Sequence, residues 1–225
     1  MEELKNKRSI RYFIKKLPLK LSLIAISFVV SLFLFGFIAH EVIIDKEDLF
    51  DTAVVRFFSP YTTESFVNVM KIFTFFGSST FLIPAYSIVV YFLLVQRHRI
   101  LAIHVVIVAI TGFALSFTAK RIFQRARPDL PLIESLKTYS FPSGHALSSF
   151  IFCGILVYLL WRADLRPGWK WILSVLLFLF SLTIGISRIL LKAHHPTDVV
   201  AGFCLGFVWV IMSFYLLNKI QSKRR

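Results

Sequence analysis

The chain has 225 residues, of which 57% are hydrophobic and 17% charged, with 25 Phe and a mean hydropathy of +0.74. That balance excludes an ordinary water-soluble domain, because the apolar residues gather in blocks long enough to cross ~30 Å of hydrocarbon as helices. The formal charge of +14 would point a soluble chain towards nucleic acid, but here the cations flank apolar blocks and fall on two faces of a bilayer, which excludes that partner. Cys153 and Cys204 each lie inside an apolar block, so neither a disulfide framework nor a CxxC-type metal site is indicated and redox chemistry is not expected.

In chain order, residues 1–18 form a basic arm, and the run 19–39 is too long for a signal-peptide core and is followed by no A-x-A-like cleavage site. It is expected to remain as an anchor. Further spans are expected at 72–95, 100–123, 143–160, 171–191 and 196–217. Spanning backbone must satisfy its own hydrogen bonds, and runs of this length suit helices rather than roughly ten-residue barrel strands. The expected fold is all-α, one membrane-embedded domain over 1–225 with six transmembrane helices and both termini on one side. Pro84 is expected to kink the second span, and Gly202 and Gly206 to form a small-xxx-small packing face on the sixth. The Phe-rich first span is read as lipid contact. His104, at membrane depth in the third span, is expected to face the bundle interior.

Lys and Arg in alternate segments number sixteen on the side of the termini and nine on the other, with Lys71 at a helix edge. The positive-inside rule makes the first side cytoplasmic. Segment 41–64, with Glu41, Asp45, Glu47, Asp48, Asp51 and Glu64 against Lys46 and Arg56, suits an outer loop. Segment 120–142 does not, since Lys120, Arg121, Arg125, Arg127 and Lys137 face only Asp129 and Glu134 there. An anionic ligand at the outer membrane face accounts for this charge.

Three polar clusters map to that same face. Lys120 and Arg127-Pro128 close the third span, seven residues and so about two helical turns apart, which places both cations on one face for a dianionic phosphate. Pro142-Ser143-Gly144-His145 opens the fourth span. Ser143 suits an N-cap and Gly144 permits close backbone approach, so first-turn N–H groups can meet an anion beside His145. Ser187-Arg188, then His194, His195, Pro196, Thr197 and Asp198, join the last two spans. His194 and Asp198 are four apart, so the carboxylate can hold one imidazole nitrogen and leave the other as a nucleophile. A divalent-metal site from His194, His195, Asp198 and His145 is the competing arrangement, disfavoured by the repulsion of Lys120, Arg127 and Arg188.

Together the clusters resemble the signature of the type 2 phosphatidic acid phosphatase superfamily, whose active-site pattern is shared with glucose-6-phosphatase and vanadium haloperoxidases. That pattern is K-x6-RP, PSGH and SR-x5-H-x3-D, and all eleven defined positions match in order across 120–198. The resemblance implies that His194 attacks phosphorus to form a phosphohistidine, that Asp198 orients it, and that His145 is the general acid. It further implies that Lys120, Arg127, Arg188, Ser143 and the backbone near Gly144 hold the phosphoryl oxygens, with no metal or other cofactor. His195 lies outside the motif and receives no catalytic role.

The function so implied is a bacterial-type lipid phosphatase of the cytoplasmic membrane with its site at the outer face. Undecaprenyl diphosphate and phosphatidylglycerol phosphate are favoured over phosphatidic acid and lipid A 1-phosphate, because the short 128–142 loop suits recognition of a phosphate and a lipid tail. A phosphotransferase would use the same residues. A transporter or scaffold that only binds anionic lipid is the non-enzyme alternative, in which the nucleophile, acid and carboxylate would be superfluous. Partners beyond the bilayer and a lipid substrate are not implied, nor is an obligate protein partner.

Overall fold

Apolar stretches surrounded by lipid close their backbone hydrogen bonds within themselves, and the computed structural model follows that rule wherever it describes the chain, at residues 19–45, 48–133 and 138–222. No strand occurs among those residues. The basic arm of residues 1–18, together with Glu134, Lys137 and the last three residues of the tail, lies outside them.

Helix α1 spans Leu19–His40 and runs into a π turn, Glu41–Asp45. A ten-residue helix, α2, follows at Leu49–Phe58, then α3 at Glu64–Phe75 and α4 at Ser79–Val95. The longer helices α5, Arg99–Phe123, α6, Gly144–Arg162, α7, Pro167–Leu190, and α8, Pro196–Ser222, complete the bundle. Five of these helices are long and apolar enough to cross a membrane, and counting the bent pair α3 and α4 as one span gives six. That count matches the expected six-span architecture, with the second span beginning at Glu64 rather than 72.

One expectation needs correction: the second span is not a single helix, since a 41° bend falls between Phe75 and Ser79, while α4 continues through Pro84. Gly77 sits in the break, where a Cβ would come within 2.6 Å of Ile184 Cγ2 and 3.0 Å of His145 Cδ2, so close packing against α7 and α6 sets the bend. Ser78 then restarts the helix by accepting from the Phe81 N–H at 3.3 Å. Segment 41–64, whose acidic charge suits the outer side, holds the amphipathic α2, with Leu49, Phe50 and Phe57 exposed and Asp51 buried against the bundle.

Packing between the spans relies on small residues and shape, since lipid tails are as apolar as the side chains. A Cβ on Gly202 would lie 2.7 Å from the Ser143 carbonyl, and one on Gly206 3.3 Å from that of Leu147, which confirms the small-residue face and directs it at α6. Ser149 and Ser181 hydroxyls meet at 3.2 Å between α6 and α7. One apolar core gathers Val105, Val108, Leu147, Ile151 and Ile155 between α5 and α6. Another joins Ile38 and Ala39 of α1 to Phe141 and Ala201, beneath the polar clusters. The remainder of α1 is largely exposed, as lipid contact requires. His104 is buried with no partner on Nδ1, and it lies sixteen residues before Lys120, about 24 Å along the helix from the clusters.

Candidate active site

The ends of α5 and α7 and the starts of α6 and α8 meet at one end of the bundle, and each end brings one piece of the site. Gln124, at φ 47°, ends α5 in a left-handed turn and lets 124–128 run back over the helix ends. Ser140 N–H donates to Arg125 O at 2.8 Å and Ser143 N–H to Asp198 O at 2.9 Å, so the three clusters are stitched together by backbone. Ser143 caps α6 as expected, accepting from Ala146 N–H at 3.4 Å.

His194 is 2% exposed, wedged between Asp198 and Arg127. Its Nδ1 lies 3.4 Å from Asp198 Oδ2 and 3.3 Å from Ser140 Oγ, while its Nε2 lies 3.3 Å from Arg127 Nη1. Because a guanidinium only donates, Nε2 must carry the lone pair and Nδ1 the proton. Burial is the main cause that pushes the imidazole pKa down to about 3, helped by the Lys120 and Arg127 charges and opposed by the hydrogen bond and charge of Asp198. The ring is therefore neutral near pH 7, with the Nε2 lone pair facing Arg127 Nη1.

Asp198 is fully buried and saturated with donors. Oδ1 accepts from Arg125 Nη1 at 2.6 Å, and Oδ2 accepts from the His195 N–H at 2.9 Å and from the Ser140 hydroxyl. His195 thus contributes its backbone, and burial with the Arg125 charge lowers its own imidazole pKa.

The three cations differ more than the sequence suggested. Lys120 Nζ donates to the carbonyls of Tyr139 at 2.7 Å and Ser140 at 3.1 Å. Arg127 donates to the carbonyls of Thr138 at 2.7 Å, Ala193 at 2.6 Å and Tyr139 at 3.3 Å, and to Thr138 Oγ1 at 3.0 Å. Both therefore order the 138–140 segment as well as supplying charge. Arg188 is 1% exposed and donates to Thr74 Oγ1 at 2.7 Å, while its Nε and Nη2 have no partner among the described residues. Buried guanidinium N–H groups left without acceptors are costly, so these two donors stand open to an acceptor such as an anion. Gly144 lies beside Lys120, a Cβ there falling 3.7 Å from Lys120 Cε, and His145, in the first turn of α6, is within electrostatic reach of Arg188, His194, Lys120 and Arg127.

All the sequence-assigned residues thus converge, and four further groups join them. Arg125, Ser140, Thr74 and Asp51 carried no motif signal. Arg125 stood out only as one of the outer-face cations that topology left unexplained, and Asp51 only as one acid of segment 41–64. No three His, Cys, Asp or Glu side chains are grouped so as to hold a metal ion among the described residues, His145, His194, His195 and Asp198 included.

The sequence pattern described as the PAP2 superfamily matches residues 100–222. The chain belongs to the PAP2 superfamily. This PAP2 chain is 28% identical over 200 residues to phosphatidylglycerophosphatase B of Bacillus subtilis, covering 86% of this chain and 95% of that protein. It is 30% identical over 145 residues to an undecaprenyl-diphosphatase of Sulfolobus acidocaldarius, covering 62% of this chain and 65% of that one. The crystal structure of a transmembrane PAP2-type phosphatidylglycerolphosphate phosphatase from Bacillus subtilis matches with a TM-score of 0.78 at 24% identity, over 88% of this chain and 98% of that chain. The shared PAP2 fold thus extends across nearly the whole bundle.

Proposed function

We propose that this PAP2 protein is a membrane lipid phosphatase that works through a phosphohistidine on His194 and needs no metal. The observation that carries the reading is the neutral, buried His194, its Nδ1 held at Asp198 and its Nε2 bearing the lone pair. In the first step Nε2 attacks phosphorus, the bond from phosphorus to the lipid oxygen breaks, and His145 gives its proton to that oxygen. Asp198 then faces the positive phosphoimidazole. In the second step water passes a proton to His145 and attacks phosphorus, the P–N bond breaks, and inorganic phosphate leaves. Arg188, with Lys120, the backbone at Ser143 and Gly144, and the Arg127 N–H that faces Nε2, stabilises charge spread over the phosphoryl oxygens. Such electrostatic positioning supplies most of the rate in phosphoryl transfer.

Phosphatidylglycerol phosphate is the favoured substrate and undecaprenyl diphosphate the second, supported by the names of the relatives that this chain matches. The site is assigned to the outer face of the cytoplasmic membrane, supported by the sixteen cations on the other side of the chain against nine on this one. Purified protein in detergent is expected to release phosphate from these lipids, and to do so in EDTA. His194→Ala should abolish release while the protein still folds; retained turnover in that variant would sink the mechanism, and loss of wild-type turnover in EDTA its metal independence.

A further inference from the structure

Asp51 stands outside every motif, on α2, and is 2% exposed. Its Oδ1 accepts from the Thr197 N–H at 2.8 Å, one of the orphan donors at the start of α8, and its Oδ2 from Thr197 Oγ1 at 2.7 Å. Oδ2 also accepts from Arg125 Nη2 at 2.7 Å, while Arg125 Nη1 reaches Thr197 Oγ1 at 2.8 Å and Asp198 Oδ1 at 2.6 Å. One guanidinium therefore bridges Asp51 to the carboxylate that orients His194.

We propose that Asp51 is a positioning residue for the reaction, acting through Arg125 on Asp198. The reason lies in the charge of the chain Asp51, Arg125, Asp198, His194. With His194 neutral the four groups sum to one negative charge, and they reach neutrality when His194 becomes a phosphoimidazolium. Arg125 by itself would already cancel the carboxylate that has to face that cation. Asp51 takes up the other half of the guanidinium and leaves Asp198 its counter-charge. Removing the Asp51 charge makes this buried chain one unit more positive in the intermediate and leaves Arg125 to Asp198 alone, which the low dielectric makes costly. Substrate phosphate is held by other groups, so the effect falls on kcat rather than KM.

This inference rests on the phosphohistidine reading, so His194→Ala is measured in the same series. Full-length protein in detergent is assayed for phosphate release from phosphatidylglycerol phosphate, with thermal unfolding to count folded protein. Asp51→Asn should lower kcat by about 10- to 100-fold, the usual range for a group that orients a catalytic one, with KM little changed. In an Asp198→Asn background the same substitution should cost far less, because its route to His194 is already cut. Asp51→Glu, which keeps the charge, should recover part of kcat. A loss that only tracks the folded fraction, or that is the same in both Asp198 backgrounds, overturns the inference while His194→Ala remains inactive. Recovery by Glu no better than by Asn overturns the charge argument. Turnover retained in His194→Ala overturns both readings. If Asp51→Asn yields no folded protein, Asp51→Glu in the two Asp198 backgrounds decides, coupling supporting the inference and additivity overturning it.

Discussion

At the scale of single residues, the site is organised around groups with opposite needs. His194 requires burial to stay neutral, whereas Arg188 is buried with two donors unmatched. Arg188→Lys keeps the charge but loses the planar fork, and kcat/KM for phosphate release is expected to fall about 10²- to 10³-fold, as when one donor to a developing oxyanion is lost. Wild-type rates in that variant would show that the fork is dispensable. His194 also ties stability to pH. Its folded pKa is pushed down to about 3 from 6.5, so between those values the unfolded chain takes up a proton that the folded chain refuses. Stability contributed by the neutral ring is complete above pH 6.5 and declines as pH falls towards 3. The slope is at most about 1.4 kcal/mol per pH unit for one group. The thermal midpoint in detergent should therefore drop on acidification, and His194→Asn should lessen that drop. An unchanged slope would contradict a neutral, buried His194.

At the scale of elements, the interruption between α3 and α4 does more than bend a span. Gly77 in that break lies against His145, and Thr74 one turn earlier accepts from Arg188, so the second span reaches two residues of the site without contributing to any motif. A methyl group at Gly77 would meet Ile184 at 2.6 Å and His145 at 3.0 Å. Gly77→Ala is expected to displace His145 and lower kcat by about 10²-fold, the typical cost of misplacing a reacting group by an ångström. The effect should exceed any loss of folded protein measured in parallel; equal losses would reduce the break to a packing feature. The helix α2 plays a matching part from the other side. Its exposed Leu49, Phe50 and Phe57 suit the membrane interface, while its buried Asp51 faces the start of α8.

At the scale of the whole molecule, one end of the bundle is chemical and the other carries Arg97, Arg99, Arg162, Arg166 and Lys170. Single cysteines test which end faces out, with the buried Cys153 and Cys204 replaced first. A membrane-impermeant maleimide should label Asp129→Cys in intact cells and Asp164→Cys only after permeabilisation, and the reverse pattern would invert the proposed topology. The spans and the motif residues were legible in the chain because each depends on local information: apolar length for a helix in lipid, and short spacings such as His194 to Asp198 across one helix start. Ser143 as a cap and Gly202 with Gly206 as a packing face were legible for the same reason. The bend at 76–78 was not, because it depends on Ile184 and His145, side chains distant in sequence that leave no room beside Gly77. Nor was the Asp51 and Arg125 bridge, where an acid and a base that looked like topological charge meet across more than seventy residues. Likewise, Lys120, Arg127 and Arg188 look equivalent as sequence, yet contacts with the 138–140 carbonyls make the first two organisers of the backbone and leave the third with open donors. The sequence by itself determined a six-span helical membrane protein with a recognisable set of reactive residues, since hydrophobic length and helical spacing are local properties. Only the tertiary structure decided which charges face one another, since pairing, burial and the tautomer of His194 depend on distances that the folded chain alone defines.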